Sequence, residues 1–408
     1  MSIELNSQQQ EAQAEFRAFA DAAIFPFADQ FDGNERIPTE LIGQLAQRKY
    51  LGAVLPEVWG GRGLDLLTFG LLNEEIGRAC SSTRSLLTVH SMVAYAILRW
   101  GSPPQKQAWL PRLAGGHSLA AFALTEPNIG SDAKHIESTA EPRGDGYILN
   151  GRKKWITFGQ IADLFLVFAQ CNAKPSAFLV ERTRPGLTTR PMRGLLGTRA
   201  SMLAEVSLEG CPVPRENLLG GLGFGFSTVA LSALDLGRYS VAWGSVGIGQ
   251  ACLEASLQYA TERKQFGEPL SRHQLIQEMI ANMVTQVKAA RLLCCHAGYL
   301  KDIGDPESTA ETLVAKYFAS TMAARVASDA VQIHGGNGCG SEYPVQRYLR
   351  DAKVMEIIEG SNQMQQILIS RNAFLGHAER RPGSAPQRAV SAPGAGSGES
   401  HDRGTANS

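Results

Sequence analysis

The spacing of apolar residues changes twice along this chain, and those changes limit the folds open to it. From about Ser7 to His117 apolar residues recur three and four apart, as in LLTFGLLNEEIGRA, the repeat of a buried helix face. From about Leu119 to Asn217 the repeat shortens. DGYILNGRKKWITFG, ADLFLVFAQ, SAFLVERT and AEVSLEG read as strands separated by turn residues. After Gly225 the helical repeat returns in LSALDLGRYSVAWGSVGIGQACLEASLQYATER, LIQEMIANMVTQVKAARLLCCHAGYL and ETLVAKYFASTMAARVASDAVQIHG. Breaks rich in glycine or proline fall at PEVWGGRGLD and at Gly101-Ser-Pro-Pro. Helices, a β insert, then helices is an α+β order, without the alternating βα units of a doubly wound sheet. From about Gly376 the composition collapses to Gly, Ser, Pro, Ala, Arg and Glu, which reads as a disordered tail.

Composition removes several function classes. Thirty-nine basic and 39 acidic residues cancel, and no lysine or arginine run stands out, so neither nucleic acid nor an anionic membrane is an expected partner. The seven cysteines include no C-x-x-C pair, which argues against a disulfide frame and a zinc site and suits a reducing cytoplasm. The polar start, MSIELNSQQQEAQAEF, is no signal peptide, and no apolar run approaches a membrane span. GGLGFG (220–225) and GGNGCG (335–340) lack the spacing and strand-to-helix setting of a dinucleotide fingerprint.

Four stretches carry candidate chemistry. In ALTEPNIGSD, glycine and small hydroxyl residues follow a short apolar strand and leave backbone N–H groups free for an anion or a polar ring edge; an ordinary turn is the alternative. In KKWITFG, Trp155 beside Thr157 offers either core packing or a flat wall with a hydroxyl for a planar heterocycle. In YATERKQFGEPLSRHQ the helix is expected to end at Gly267. Arg263, in its last turn, either complements the dipole or faces a diphosphate. In VMEIIEGSNQMQQILISR, Glu359 stands where one helix stops and another starts. Gly360 suits a left-handed closing position, and Ser361 or Asn362, with Gln365, suits the next cap. Glu359 is then either a solvated carboxylate or a base in an apolar cleft, while Glu356 is expected to be solvated.

These segments fall in the order of one family. LPEVWGGRGLD, FALTEPNIGSD, GRKKWITFG, CPVPRENLLG, YATERKQFGEPL, QIHGGNGCGSEYPVQRYLRDAK and IIEGSNQMQ together resemble the acyl-CoA dehydrogenases, FAD-dependent flavoproteins, over Gln8 to Leu375. The resemblance implies an N-terminal helical domain (1–118), a central β domain (119–229, barrel or sandwich), a C-terminal four-helix bundle (230–375) and a tail (376–408). It also implies a homo-oligomer, dimer or tetramer, with FAD lying between the β domain and the C-terminal helices. Phe122, Leu124, Thr125, Gly130 and Ser131 match the loop that meets flavin and substrate. Trp155, Ile156 and Thr157 match the wall at the flavin's reactive edge. Arg263, Gln265, Phe266 and Gln274 match contacts to a neighbouring subunit's FAD; Gln332, Gly335 and Gly336 match the adenosine-diphosphate end of FAD, as do Ser361 and Gln363 from the other side.

Glu359 matches the family's catalytic base, which takes the α-proton of an acyl thioester while a hydride leaves the β-carbon for flavin N5. Asp235, Arg238 and Gly360 match positions near the thioester. Ile357 and Ile358 suit partial desolvation, which raises a glutamate's pKa toward the working pH. The electron acceptor implied is an electron-transfer flavoprotein. Asn128-Ile129, Phe158 and Ile358-Glu-Gly-Ser depart from the commonest pattern and bear on substrate identity. A flavin oxidase or monooxygenase on the same fold and a non-catalytic scaffold are the alternatives; Glu359 argues against the first, and retained Trp155, Thr157, Arg263 and Gln363 against the second.

SSTRSLLTVHSMVAYAILRWG matches the helix that lines the acyl pocket. Arg84, Thr88, Ser91 and Tyr95 share one face, which meets either solvent or the pocket. Facing the pocket, it suits a short polar acyl group, since an unpaired arginine in a fatty-acyl tunnel is costly. Tyr239 and Trp243 would shorten the cavity. The segment is similar to relatives in polyketide and nonribosomal peptide pathways, so the thioester is carried on CoA or on an acyl or peptidyl carrier protein.

Overall fold

The computed structural model describes residues 4–379. Six helices come first: α1 (Ser7–Ala23), α2 (Ala28–Asn34), α3 (Thr39–Gln47), α4 (Leu66–Ala79), α5 (Ser81–Trp100) and α6 (Pro103–Ala114). Their starts follow local chemistry. Asn6 and Gln9 form a reciprocal capping box on α1, and Ser102 and Gln105 form another on α6, with proline in its first turn.

Eight strands follow: β1 (Ala120–Ala123), β2 (Thr139–Arg143), β3 (Gly146–Ile156), β4 (Leu164–Cys171), β5 (Lys174–Glu181), β6 (Leu187–Pro191), β7 (Ala204–Pro214) and β8 (Leu218–Leu219). They form one sheet in the order β6-β7-β3-β2-β4-β5-β8, with β1 parallel to β4. Strands near both ends of that order feed one apolar cluster that includes Val206, Leu208, Phe178 and Val180, so the sheet wraps around it. β4 is buried on both faces, which explains its unbroken apolar run. Phe165 and Val167 enter that cluster, while Leu164, Leu166 and Phe168 join a second one with Val93 and Ile97 of α5 and Leu110 of α6.

The C-terminal part holds α7 (Leu231–Glu262), a short hairpin of β9 (Lys264–Gln265) and β10 (Glu268–Pro269), α8 (Gln274–Asp302), α9 (Ser308–His334), α10 (Val345–Met355) and α11 (Asn362–Glu379). Helix α7 is apolar nearly all round because it is buried nearly all round. One apolar cluster runs through Phe69 and Leu72 of α4, Trp243 and Val246 of α7, and Ala323 of α9. Glycine sets the approach of α4 to α7: a Cβ on Gly247 would stand 2.3 Å from the Glu74 carbonyl oxygen.

Three expectations are corrected. Helix α7 ends at Glu262, so Arg263 is its extended C-cap and Gly267 sits in the hairpin turn. Helix α11 continues through Gly376 to Glu379, since a composition shift does not by itself stop a helix already started; the rest of the expected tail lies outside the described residues. Glu356 is not simply solvated, because Lys353 Nζ donates to its Oε2 at 2.8 Å.

Candidate active site

Between α10 and α11 the backbone makes an uncommon turn. Glu359 and Gly360 both take positive φ, +54° and +89°. For a non-glycine residue that conformation costs on the order of 1–3 kcal/mol and persists only where the surroundings impose it. Three elements grip the carbonyl groups. Arg238 Nε on α7 donates to Glu359 O at 3.1 Å, and Gln365 Nε2 donates to Gly360 O at 2.9 Å. Lys316 Nζ on α9 donates to Gly360 O at 3.0 Å and to Asn362 Oδ1 at 2.9 Å. Asn362 is thereby drawn under the turn, and the cap of α11 falls to Ser361, whose Oγ accepts from Met364 N at 3.4 Å. Gln365 is spent on the turn rather than on a capping box.

The Glu359 side chain enters the protein between α5 and α7. Part of the residue reaches solvent, but Oε2 is buried and has no hydrogen-bond partner among the described residues. It lies against Gly237 and Met92: a Cβ at 237 would stand 2.7 Å from Oε2 and 2.7 Å from Met92 Sδ. Burial pushes this carboxyl up to about 7, although the charges of Arg238, Arg84 and Lys316 pull it down. Burial also pushes Lys316 down to about 7. A carboxylate poised near neutrality, aimed into the interior and spared competing donors, is equipped to take a proton.

Arg84, Thr88 and Ser91 are buried on α5, which excludes the solvent-facing reading of that stripe. The Arg84 guanidinium donates through Nη1 to Thr88 Oγ1 at 2.8 Å and through Nη2 to Met355 Sδ at 3.5 Å, while Nε is buried without a partner. Burial lowers it to about 10, so it stays charged at neutral pH. Its Cδ lies 2.6 Å from a Cβ built on Gly244. Gly237 and Gly244 are two turns apart on one face of α7, so the arginine stem and the Glu359 carboxylate flank positions separated by about 10 Å of helix.

A second constellation belongs to the sheet. Lys154 N donates to Thr125 O at 2.9 Å, joining the 124–131 loop to the end of β3. Beneath it, Lys153 Nζ donates to Glu126 Oε1 at 2.6 Å and to Leu124 O at 3.2 Å, and Glu126 also accepts from Ser138 and Glu137. Burial lowers Lys153 to about 8. Burial alone would raise Glu126, but Lys153 and the other donors outweigh it and hold that carboxyl below its usual value. Trp155, at φ +63° and half exposed, stands beside half-buried Thr157. Phe122 packs on Phe168 at 5.0 Å, and Gly130 and Ser131 are exposed.

Several expected site residues lie elsewhere. Ile156 is a core residue, at the end of β3 where the pairing with β7 is irregular and Trp155 takes a positive φ. Tyr239 points from α7 toward α8, where its Oη would meet a Cβ on Gly298 at 2.2 Å, and it packs edge-on to Trp243; Trp243 in turn fills the space beside Gly70, so neither faces Glu359. Asp235 is ion-paired with Lys301. Arg263, Gln265, Phe266 and Gln274 are exposed on or beside the hairpin. About 25 residues of α7, roughly 37 Å, separate them from Arg238. Gln332, Gly335 and Gly336 are exposed at the end of α9, some 24 Å of helix beyond Lys316. Lys316, Gln365, Glu126 and Lys153 were missed; a lone lysine inside the apolar run AKYFA was the one available signal. Among the described residues no cluster of metal-ligating side chains occurs.

Models of the acyl-CoA dehydrogenase N-terminal, middle and C-terminal domains match residues 6–117, 121–211 and 223–374. The chain belongs to the acyl-CoA dehydrogenase family. Over 375 residues it is 40% identical to the mitochondrial short-chain specific acyl-CoA dehydrogenase of Mus musculus, covering 90% of each chain. It is similar to butyryl-CoA dehydrogenase from Megasphaera elsdenii, with TM-score 0.88, 36% identity and coverage of 92% of this chain and 100% of the other. It is also similar to a glutaryl-CoA dehydrogenase from Mycobacterium smegmatis in complex with FADH2, with TM-score 0.86, 31% identity and coverage of 91% and 95%. Acyl-CoA dehydrogenases are FAD-dependent oxidoreductases that act on CH–CH groups of acyl thioesters, and that class holds for this chain. The scaffold alternative falls with it.

The residues present fit FAD. Gly335 takes φ +59° and ψ −138°, and a Cβ built on Gly130, Gly335 or Gly336 would meet nothing within 4 Å, so backbone lies open to a ligand. The half-exposed Trp155 offers an aromatic face, and the buried Glu359 Oε2 is a carboxylate oxygen without a hydrogen-bond partner among the described residues.

Proposed function

We propose that this acyl-CoA dehydrogenase oxidises a short acyl thioester whose far end carries a hydrogen-bond acceptor, with Glu359 as its base. The carrying observation is the pairing of an enclosed, partnerless carboxylate with a buried guanidinium two turns along α7. The carboxylate sits where it would remove the proton from the carbon next to the thioester carbonyl. Arg238 and Gln365, by fixing the Glu359 and Gly360 carbonyls, keep the turn from relaxing as that proton moves. Bound FAD supplies the acceptor for the hydrogen and electron pair that leave the β-carbon. Such a positioned base contributes roughly a hundred- to ten-thousand-fold in rate.

Trp155, Thr157, Thr125 and Ser131 would hold the flavin end, Ser361 and Gln363 one side of the adenosine-diphosphate end, and Gln332, Gly335 and Gly336 of a second subunit its other side. Arg263, Gln265, Phe266 and Gln274, far along α7 and exposed, would meet the FAD of a second subunit in a homo-oligomer. Arg84 feels the charges of Glu359 and Asp351 but hydrogen-bonds to no carboxylate, so its guanidinium favours a ligand that supplies an acceptor, a carboxylate- or carbonyl-ended acyl group over plain alkyl. Carriage on CoA or on a carrier protein, and electron-transfer flavoprotein as the acceptor, complete the reading.

The test is anaerobic titration of the FAD enzyme with pentanoyl-CoA, 4-oxopentanoyl-CoA and glutaryl-CoA, following flavin absorbance. The acceptor-ended thioesters are expected to bleach the flavin with kcat/KM at least about tenfold above pentanoyl-CoA. Arg84→Met should abolish that preference. Preference for long plain acyl chains, or an unaltered ratio in Arg84→Met, overturns the reading.

A further inference from the structure

The buried Arg84 has no carboxylate among its described partners, yet it is not left to a single hydroxyl. Its Nη1 donates to Thr88 Oγ1 at 2.8 Å. Thr88 Oγ1 lies 2.6 Å from Ser240 Oγ on α7, and Ser240 Oγ lies 2.6 Å from Asn73 Oδ1 on α4. Asn73 Nδ2 donates to Phe69 O at 2.8 Å. Arg84, Asn73 and Ser240 are fully buried and Thr88 is 3% exposed, so water does not substitute for any link.

Counting protons fixes the direction of this chain. Asn73 commits its amide N–H to Phe69 O, so its Oδ1 must accept, and the Ser240 hydroxyl proton must point there. Ser240 then has no proton left for Thr88. The 2.6 Å contact between the two hydroxyl oxygens therefore needs the Thr88 proton, which cannot also serve Arg84 O at 3.1 Å. Every link runs one way, from guanidinium to Thr88, Ser240, Asn73 and the Phe69 carbonyl. A hydroxyl that donates onward is a better acceptor, so such a chain strengthens itself in a low-dielectric interior. It also commits the one Thr88 hydroxyl proton to Ser240, so Thr88 has no proton left to donate to substrate.

We infer that Thr88, Ser240 and Asn73 form a one-way hydrogen-bond relay that fixes the aim of Arg84, making them positioning residues for acyl-group selectivity. This rests on the reading of Arg84 as the partner of the acyl acceptor. The relay ties α4, α5 and α7 to one guanidinium, whose Nε has no hydrogen-bond partner among the described residues and whose Nη1 and Nη2 each keep a further N–H.

The test uses the FAD-loaded enzyme and the ratio of kcat/KM for 4-oxopentanoyl-CoA to that for pentanoyl-CoA. Ser240→Ala and the isosteric Thr88→Val are each expected to lower the ratio roughly three- to tenfold, the worth of one lost hydrogen bond, chiefly through KM of the acceptor-ended thioester. Thr88→Ser, which keeps the hydroxyl, should restore most of it, and adding Ser240→Ala to Arg84→Met should lower the ratio no further. Should Ser240→Ala not fold, the Thr88→Val and Thr88→Ser pair carries the same comparison. Equal losses on both thioesters, or Thr88→Ser behaving as Thr88→Val, would overturn the relay. An Arg84→Met that shifts the ratio while Ser240→Ala and Thr88→Val do not would sink the relay alone. An Arg84→Met that leaves the ratio unmoved would sink the reading beneath it as well.

Discussion

Replacing Glu359 by glutamine keeps the shape of the side chain and removes its ionisation, and its consequence for stability can be worked out. Burial raises this carboxyl from 4.5 to about 7 in the folded protein. At 1.36 kcal/mol for each tenfold, the folded state is about 3 kcal/mol less tolerant of the ionised form than the unfolded chain. Below about pH 4.5 both states hold the proton and nothing is lost. Between about 4.5 and 7 the unfolded chain ionises first, stability falls by that amount, and above 7 the loss is constant. Glutamine does not titrate. Its buried amide carries some fixed cost of its own, so the informative quantity is the change with pH in the difference between variant and parent. With an unfolding entropy of about 2.1 cal/mol/K per residue, 3 kcal/mol in a chain of 408 residues is on the order of 4 °C. Melting curves of parent and Glu359→Gln across pH 4.5 to 8 should diverge in the variant's favour by that amount, while flavin bleaching by substrate falls at least about a hundredfold. In the parent, kcat/KM should rise with pH and level off above about 7. A melting difference that stays flat with pH would refute an enclosed carboxylate, and undiminished bleaching would refute its role as base.

Two other perturbations test the supports of the site. Gly237→Ala builds a methyl 2.7 Å from Glu359 Oε2 and from Met92 Sδ, so kcat should fall by about a hundredfold with FAD retained; an unchanged kcat would show that α7 does not fix the base. Lys153→Met leaves Glu126 buried without its counter-charge, which should cost about 3–5 kcal/mol in a denaturant melt and hasten FAD release; full FAD retention would refute the role of the pair in holding the 124–131 loop.

The order of the architecture was legible because periodicity survives without neighbours. The three long helical runs and the four longer strands are written in local spacing. Short β6 and β8 are not, since two to five residues carry too little pattern. The turn at Glu359 was legible from Gly360 and Ser361, but its grip was not. Lys316, Gln365 and Arg238 lie on three different helices, and nothing in their local sequence says they converge.

The sequence by itself determined the class of fold, the position of Glu359 at a helix break and the family to which the motifs belong, because each is a property of short stretches. Tertiary structure alone decided that the stripe on α5 faces inward, that Tyr239 serves the core, and that Thr88 bonds to both Arg84 and Ser240. The physical reason is that burial and hydrogen-bond direction depend on what neighbouring helices present. Asn73 and Thr88 acquire a meaning only when α4, α5 and α7 bring each of them to 2.6 Å from Ser240, which is distant from both in the chain.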